Sequence, residues 1–131
     1  MTQLRISDVA ELLGVSDDTV RRLVDQSRLT ATKDDSGRLV VEGAQVAALA
    51  QEIANPPSVG PVTDESARNR MRGMVTKVTT DKVMAQVEMQ CGPFRIVSLM
   101  SSEAVRELGL GVGSIAVASI KSTNVVIGVA K

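Results

Sequence analysis

A proline- and glycine-rich stretch, ANPPSVGPVTD at residues 54–64, divides the chain into two parts that cannot share one continuous helix or strand. It carries three of the four prolines, and adjacent prolines stop a helix and favour extended backbone. Apolar residues follow a helical spacing before this stretch and an alternating spacing after it. We therefore predict two domains, at residues 1–54 and 64–131, joined by a linker at residues 55–63.

The charge of the chain divides at the same place, although the whole chain of 131 residues has a formal net charge of +0. Residues 1–55 hold six Lys or Arg and nine Asp or Glu, a net charge of −3. Residues 56–131 hold nine Lys or Arg and six Asp or Glu, a net charge of +3. The acidic first part is therefore poorly suited to non-specific attraction by nucleic-acid phosphates.

The composition argues against several kinds of site. The chain has no histidine and a single cysteine, Cys91, so the common acid–base group and a zinc-thiolate set are both missing. Its one aromatic residue, Phe94, leaves little scope for stacking on bases. We predict a binding protein and not an enzyme. The lone cysteine, and a start that lacks a signal-peptide pattern, predict a cytoplasmic protein with no membrane partner.

The segment ISDVAELLGVSDDTVRRLV predicts two short helices joined at GVS, a helix-turn-helix. Ser7 is the predicted N-cap of the first helix, and Gly14 is its predicted end. Ser16 is the predicted N-cap of the second helix, whose first turn carries Asp17 and Asp18, where the helix dipole favours acids.

A hairpin and a third helix are predicted next. Two short extended runs flank the turn-forming residues 34–37, Asp-Asp-Ser-Gly. The third helix is predicted from about Ala44. Its predicted buried residues are Val46, Leu49, Ala50 and Ile53.

The order helix, turn, helix, hairpin, helix in the first 50 residues resembles the winged helix-turn-helix domains of the excisionase-like and MerR-like DNA-binding family. The turn VAELLGVS, the helix TVRRLV and an arginine-bearing wing carry the resemblance. The resemblance implies that the second helix enters the major groove of DNA, with further contacts to phosphates from that helix and the wing. The implied groove contacts are Ser16, Asp18, Thr19 and Arg22. The implied phosphate contacts are Arg21, Lys33 and Arg38.

After the linker the apolar residues alternate, which predicts strands. In the second of these, Val83, Ala85, Val87 and Met89 are predicted to share one face. Turns are predicted at residues 80–82 and 91–93. A short helix is predicted after the third strand, with Ser101 or Ser102 as its cap and Gly109 at its end, and SIAVASI and NVVIGVA are predicted as two further strands. The fold class is therefore predicted as α+β with two domains, the second a five-stranded OB-like barrel.

Three segments in this part, SARN, SSEAVRELGLGVGS and IKSTNVVIGV, occur in the order found in the molbindin or Mop domain, also called TOBE-type, and the part closely resembles that family. The resemblance implies a ligand, molybdate or tungstate, held as an oxyanion rather than as a metal cation. It also implies assembly into dimers to hexamers, by exchange of strands, with the anion sites at the subunit interfaces. The implied ligand residues are Ser66, Ala67, Arg68 and Lys121, with Ser101 supplied by a neighbouring subunit.

The chain departs from the family at Ala104, where a second hydroxyl is common, and this change could weaken one of the two types of site. Arg68, Arg70 and Arg72 alternate, so they share one face of the predicted strand. Like charges in that arrangement repel unless an anion or a partner lies among them. The resemblance assigns a role only to Arg68; for Arg70 and Arg72 an ion pair with Glu88, or with a partner, is the simpler explanation.

We therefore predict a molybdate-binding transcription regulator that oligomerises through its Mop domain, with DNA and further copies of itself as partners. Two alternatives stay open. The chain could be a molybdate buffer or storage protein whose helix-turn-helix domain contacts other proteins. It could also be an oligomeric DNA-binding protein whose second domain has lost or changed its ligand.

Overall fold

The chain folds as two units, Met1–Asn55 and Pro56–Lys131. The structure is a computed structural model that describes residues 2–61 and 65–130. Residues 62 and 63 of the predicted linker, residue 64 at the start of the predicted second domain, and the two terminal residues lie outside the described residues. Each unit is described by itself.

Unit 1 begins with strand β1 (Gln3–Arg5), which leads directly into helix α1 (Ile6–Leu13). The predicted N-cap at Ser7 is wrong, because β1 pairs with a later strand and its last residue, Arg5, becomes the residue before the helix. The predicted end at Gly14 is confirmed, since its φ of 69° is left-handed, a conformation that glycine adopts without strain.

Helix α2 (Asp17–Asp25) begins as predicted, with the Ser16 hydroxyl accepting the backbone N–H of Thr19 at 3.1 Å. The hairpin is also confirmed: strands β2 (Ala31–Lys33) and β3 (Leu39–Glu42) pair in antiparallel fashion. Strand β3 lies between β1 and β2 in a three-stranded sheet.

Helix α3 (Gly43–Ile53) completes the winged helix-turn-helix and buries Val46 and Leu49 as predicted. The predicted burial of Ile53 is wrong, since this last helical residue is 39% exposed at the edge of the unit. The core of unit 1 lies between the three helices and the sheet. Its fully buried members are Val9, Val20, Leu29 and Val41.

Unit 2 is an antiparallel sheet with one helix. Its strands are β4 (Asn69–Thr80), β5 (Met84–Cys91), β6 (Phe94–Ser101) and β7 (Ile115–Ile120), in the spatial order β6-β5-β4-β7. Helix α4 (Ser102–Leu108) follows β6, as predicted, and Gly109 ends it with a left-handed φ of 65°.

The alternation predicted for the second strand holds from Ala85 onward, since Ala85, Val87 and Met89 are buried. Val83 does not follow the prediction because it precedes the strand, in the turn after β4, and is 70% exposed. A β-bulge between Val75 and Lys77 interrupts the pairing of β4 with β5, and bulges increase the local twist of a sheet.

The prediction of a fifth strand is wrong for the single chain. Beyond β7 the described residues form a short 3₁₀ turn (Ser122–Asn124), and residues 125–130 belong to no strand. Their apolar side chains are exposed, with Val126 at 92% and Ile127 at 85%. The described sheet is therefore open, with β6 and β7 at its edges and no fifth strand to close a barrel.

One glycine in β4 is required by close packing against β5. A Cβ atom on Gly73 would lie 2.5 Å from the sulfur of Cys91 and even closer to the backbone oxygen of Gln90. Backbone cannot move aside as a flexible side chain can, so this position accepts no side chain without displacing the strand.

We expect Gly73→Ala to lower the free energy of unfolding of unit 2 by about 3 kcal/mol, since overpacking against backbone forces the strands apart. Gly111→Ala is the matched control, because a Cβ there meets nothing within 4 Å and the backbone φ is not left-handed. Differential scanning calorimetry suits this chain, which has no Trp or Tyr to report unfolding by fluorescence. Equal melting temperatures for the two variants would contradict the packing argument.

Candidate functional site

The pairing of β4 with β7 brings together two segments that lie about fifty residues apart in the chain. Asn69 pairs with Ile120 at the end of this antiparallel ladder, so the residues before Asn69 and after Ile120 leave the sheet at the same end. Arg68 and Lys121 therefore flank the terminal pair, and both are exposed. This geometry brings four of the five predicted oxyanion residues, Ser66 to Arg68 and Lys121, to one end of the sheet.

Side-chain contacts fix this end of the sheet. The Asn69 side-chain amide donates to the backbone oxygen of Ile120 at 3.1 Å, so Asn69 holds the start of β4 against the end of β7. The methyl group of Ala67 is buried, at 4% exposed, whereas Ser66 and Arg68 on either side of it are exposed. Ala67 can therefore offer a ligand only its backbone groups.

Arg70 makes an ion pair that sequence reasoning did not find. Its Nε lies 3.1 Å from the Oε2 of Glu65, and its Nη2 donates to the backbone oxygen of Glu65 at 3.2 Å. Hydrogen bonds from Ser119 and from Arg70 hold the pKa of Glu65 below its usual value. The suggested pairing of Arg70 with Glu88 is wrong, because Glu88 accepts from the Nε of Arg95 at 2.8 Å.

Ser101, the fifth predicted oxyanion residue, lies at the other end of the sheet. It pairs with Met84 at the start of β5, and the next residue of β5, Ala85, pairs with Thr80 at the end of β4. Strand β4 is 12 residues long. At roughly 3.3 Å per residue, its two ends are about 36 Å apart along the strand. One chain therefore does not bring Ser101 to Arg68 and Lys121.

The local structure around Ser101 separates its role from that of its neighbour. The Ser101 hydroxyl caps α4 by accepting the backbone N–H of Ala104 at 3.0 Å, which leaves its own O–H proton free to donate. The hydroxyl of Ser102 is buried within hydrogen-bonding distance of the backbone oxygens of Asp81 and Met84, at 2.7 and 2.8 Å. Ser102 therefore cannot replace the hydroxyl that is missing at Ala104.

The predicted DNA-contact residues of unit 1 lie on its surface, and most of them already contact one another. The hydroxyls of Ser16 and Thr19 lie 3.0 Å apart in the cap of α2. Arg21 pairs with Asp18 at 3.3 Å, with the Arg21 side chain 59% exposed. Arg22, in the last turn of α2, is exposed and has no ion pair among the described residues.

The wing has an internally organised turn. The Asp34 Oδ1 accepts the backbone N–H groups of Ser36 and Arg38, both at 2.9 Å. The bond from Arg38 is the main cause of a lowered pKa for Asp34, and the Arg38 side chain lies 3.8 Å away from the same carboxylate. Lys33, the other predicted wing contact, is exposed at the end of β2 and has no ion pair among the described residues.

In the described ranges, 2–61 and 65–130, none of the helices has the length and apolar character needed to cross a membrane. The same ranges hold no group of three or more Cys, Asp or Glu residues arranged to bind a metal cation.

Comparison with known proteins divides the chain as its two units do. A family model described as a TOBE domain matches residues 65–127, and one described as a helix-turn-helix domain matches residues 4–53. Over 65 residues the chain is 42% identical to a probable molybdenum-pterin-binding protein of Haemophilus influenzae, which covers 49% of this chain and 94% of that protein. Over 63 residues it is 38% identical to molybdenum-pterin-binding protein 1 of Clostridium pasteurianum, which covers 47% of this chain and 93% of that protein.

A solved structure of the cytoplasmic molybdate-binding protein ModG, with molybdate bound, superimposes on this chain with a TM-score of 0.50 and 39% identity. The match covers 57% of this chain and 52% of that one. With 94% of a 42%-identical relative matched by the second unit, the chain belongs to the TOBE-domain family of molybdenum-pterin-binding proteins, and it carries a helix-turn-helix domain in front of that unit.

Proposed function

We propose that the chain is a cytoplasmic, molybdate-binding transcription regulator, in which unit 2 binds the anion and joins copies of the chain while unit 1 binds DNA. The observation that carries this proposal is the presence of both domains in one chain, the helix-turn-helix at residues 4–53 and the TOBE domain at residues 65–127. We also propose that the two domains span residues 1–54 and 64–131 and that residues 55–63 form the linker between them. We propose no enzymatic activity for the chain.

The donors at the end of the β4–β7 ladder suit a tetrahedral dianion. Molybdate and tungstate offer only hydrogen-bond acceptors, so a site for them needs N–H and O–H donors together with positive charge. The Ser66 hydroxyl, the Ala67 backbone amide and the side chains of Arg68 and Lys121 are groups of this kind.

We propose that a second copy of the chain completes the site with Ser101. The remoteness of Ser101 from Arg68 and Lys121 in one chain supports this arrangement. The surface of unit 2 supports it as well, since an apolar groove of about 480 Å³ opens between the edge strands β6 and β7. The exposed apolar segment at residues 125–130 has the length and the β-branched composition of the strand that this open sheet lacks.

For unit 1 we propose that α2 is the recognition helix. Arg22 and Lys33 have no ion pair among the described residues, and both are exposed for contact with DNA. Arg21 and Arg38 are held by neighbouring carboxylates, so a phosphate must compete with Asp18 and Asp34 for them. With a net charge of −3 over residues 1–55, one unit gains little from phosphate attraction, and several joined units are needed for useful affinity.

The first test concerns the anion. We expect molybdate to bind the whole protein and raise its melting temperature by mass action, and the smaller sulfate to bind poorly. Lys121→Met should weaken molybdate binding by roughly ten- to a hundredfold, because a charge-assisted hydrogen bond contributes about 1.5–3 kcal/mol. Arg68→Met should act in the same direction.

Isothermal titration calorimetry measures these affinities. Lys77→Met is the matched control, since it removes the same charge from an exposed position in the middle of β4. Undiminished affinity in both Lys121→Met and Arg68→Met, or an equal loss in the control, would refute the assignment of these ligands.

The second test concerns assembly. Light scattering of the wild-type protein should give a molar mass of at least twice 13.8 kDa at micromolar concentration. The double variant Val126→Asp, Ile127→Asp should shift it to the monomer, since charges cannot enter an apolar groove without a large desolvation cost. Leu12→Asp, at a site 67% exposed in unit 1, is the control and should keep the assembly. A monomeric wild-type protein would contradict the shared site.

The third test concerns DNA. Selection from genomic fragments should recover an enriched sequence, to which Arg22→Ala binds about 1–3 kcal/mol more weakly and with relaxed sequence preference. Arg28→Ala, which removes an arginine already paired with Glu52 at 3.1 Å, is the control and should bind as the wild type does.

A second candidate function is favoured by one observation in unit 1. The ion pairs of Arg21 and Arg38 with neighbouring acids neutralise two of the predicted phosphate contacts. A molybdate store whose first unit contacts other proteins would need no phosphate contacts. Failure to recover any DNA sequence, with and without molybdate, would favour the store over the regulator.

A further inference from the structure

The three alternating arginines at the start of β4 are in different environments. Arg68 and Arg72 are exposed, whereas the Arg70 side chain is only 26% exposed. Its guanidinium holds both the side-chain carboxylate and the backbone oxygen of Glu65, at 3.1 and 3.2 Å. These two bonds close a short loop that contains the three proposed ligand residues Ser66, Ala67 and Arg68.

The loop is also anchored to the neighbouring strand. Ser119 lies directly opposite Arg70 in the β4–β7 ladder, so their side chains share one face. Arg70 donates to the Glu65 carboxylate at 3.1 Å, and hydrogen bonding to Ser119 and Arg70 lowers the pKa of that carboxyl group. At the other end of the loop, Asn69 is tied to the backbone oxygen of Ile120.

Anchored and exposed residues thus alternate through this segment. Glu65 is held by Arg70, Ala67 is buried, and Asn69 is bonded to β7, whereas Ser66 and Arg68 between these anchors are exposed. A loop held at three alternate positions presents the two intervening side chains in a fixed direction. Donors ordered before the ligand arrives lose less conformational freedom on binding.

The positive charge of Arg70 has a second effect on the proposed anion site. Glu65 immediately precedes the first proposed ligand residue, and a free carboxylate there would repel a dianion. The ion pair with Arg70 neutralises the charge of the Glu65 carboxylate. A basic residue at position 70 therefore favours the anion without touching it.

Building on the proposed function, we propose that Arg70 is a positioning residue for the oxyanion site, which closes the 65–70 loop and neutralises Glu65 beside the bound dianion. Arg72, two residues further along the same face, has no ion pair among the described residues and plays no part in the loop. Arg70 and Arg72 thus have different roles, although their alternate spacing alone would predict the same role for both.

The test compares molybdate affinity in four full-length proteins by isothermal titration calorimetry. Arg70→Met should bind about tenfold more weakly than the wild type, because it opens the loop and frees the carboxylate. Arg72→Met, the matched control with the same charge change on the same strand face, should stay within about twofold. The double variant Glu65→Gln, Arg70→Met should recover about half of the lost binding free energy, since the freed carboxylate is gone.

A loss and recovery of affinity at an unchanged melting temperature separates positioning from a loss of folding, since an unpaired Glu65 could also lower stability. Melting temperatures of all four proteins complete the comparison. Equal losses in Arg70→Met and Arg72→Met, or no recovery in the double variant, would overturn the role of Arg70 while leaving molybdate binding intact. A wild-type protein that binds no molybdate would instead refute the proposed function itself.

Discussion

The antiparallel ladder between β4 and β7 is the interaction on which the candidate site depends. It joins residues about fifty positions apart, and closing such a long loop costs entropy that local contacts cannot recover. The ladder is stable because Val75 and the alternate residues of β5 supply a buried apolar face beneath it. Gly73 allows β5 to approach β4 closely enough for that face to pack. The position of Lys121 beside Arg68 is therefore a consequence of core packing far from either side chain.

Features set by neighbouring residues were predicted from the sequence. The cap at Ser16, the helix ends at Gly14 and Gly109, and the hairpin turns depend on residues within five positions of each other. The sequence left Ser101 and Ser102 open as the cap of α4, and the structure assigns it to Ser101. The predicted cap at Ser7 failed because the start of α1 is determined by the pairing of β1 with β3, about 37 residues away. The propensities of neighbouring residues do not depend on that pairing, so they could not predict where α1 begins.

The error in the strand count has the same physical origin. Residues 125–130 form a continuous apolar, valine-rich run that is typical of a strand, but a strand also needs a free edge to pair with, and the sequence does not say which chain supplies that edge. Motifs indicated the residues of the candidate site, yet the partner of Arg70 could not be predicted. Glu65 and Glu88 were both available in the sequence, and only the fold distinguishes them: Glu88 faces Arg95 across the β5–β6 pair, and the chain before β4 folds back onto Arg70.

In the proposed regulator, the charge of unit 1 makes DNA binding depend on assembly. Asp34 organises the wing, and Asp18 forms an ion pair with Arg21. Because carboxylates of the unit pair with its own cations, few cations remain to attract phosphates. Affinity must then come from several copies of unit 1 bound at once, and the number of copies is determined by the contacts of unit 2. An anion that binds between copies stabilises the assembled state over the separate chains. By linkage, that anion raises the affinity of the joined units for DNA without contacting unit 1.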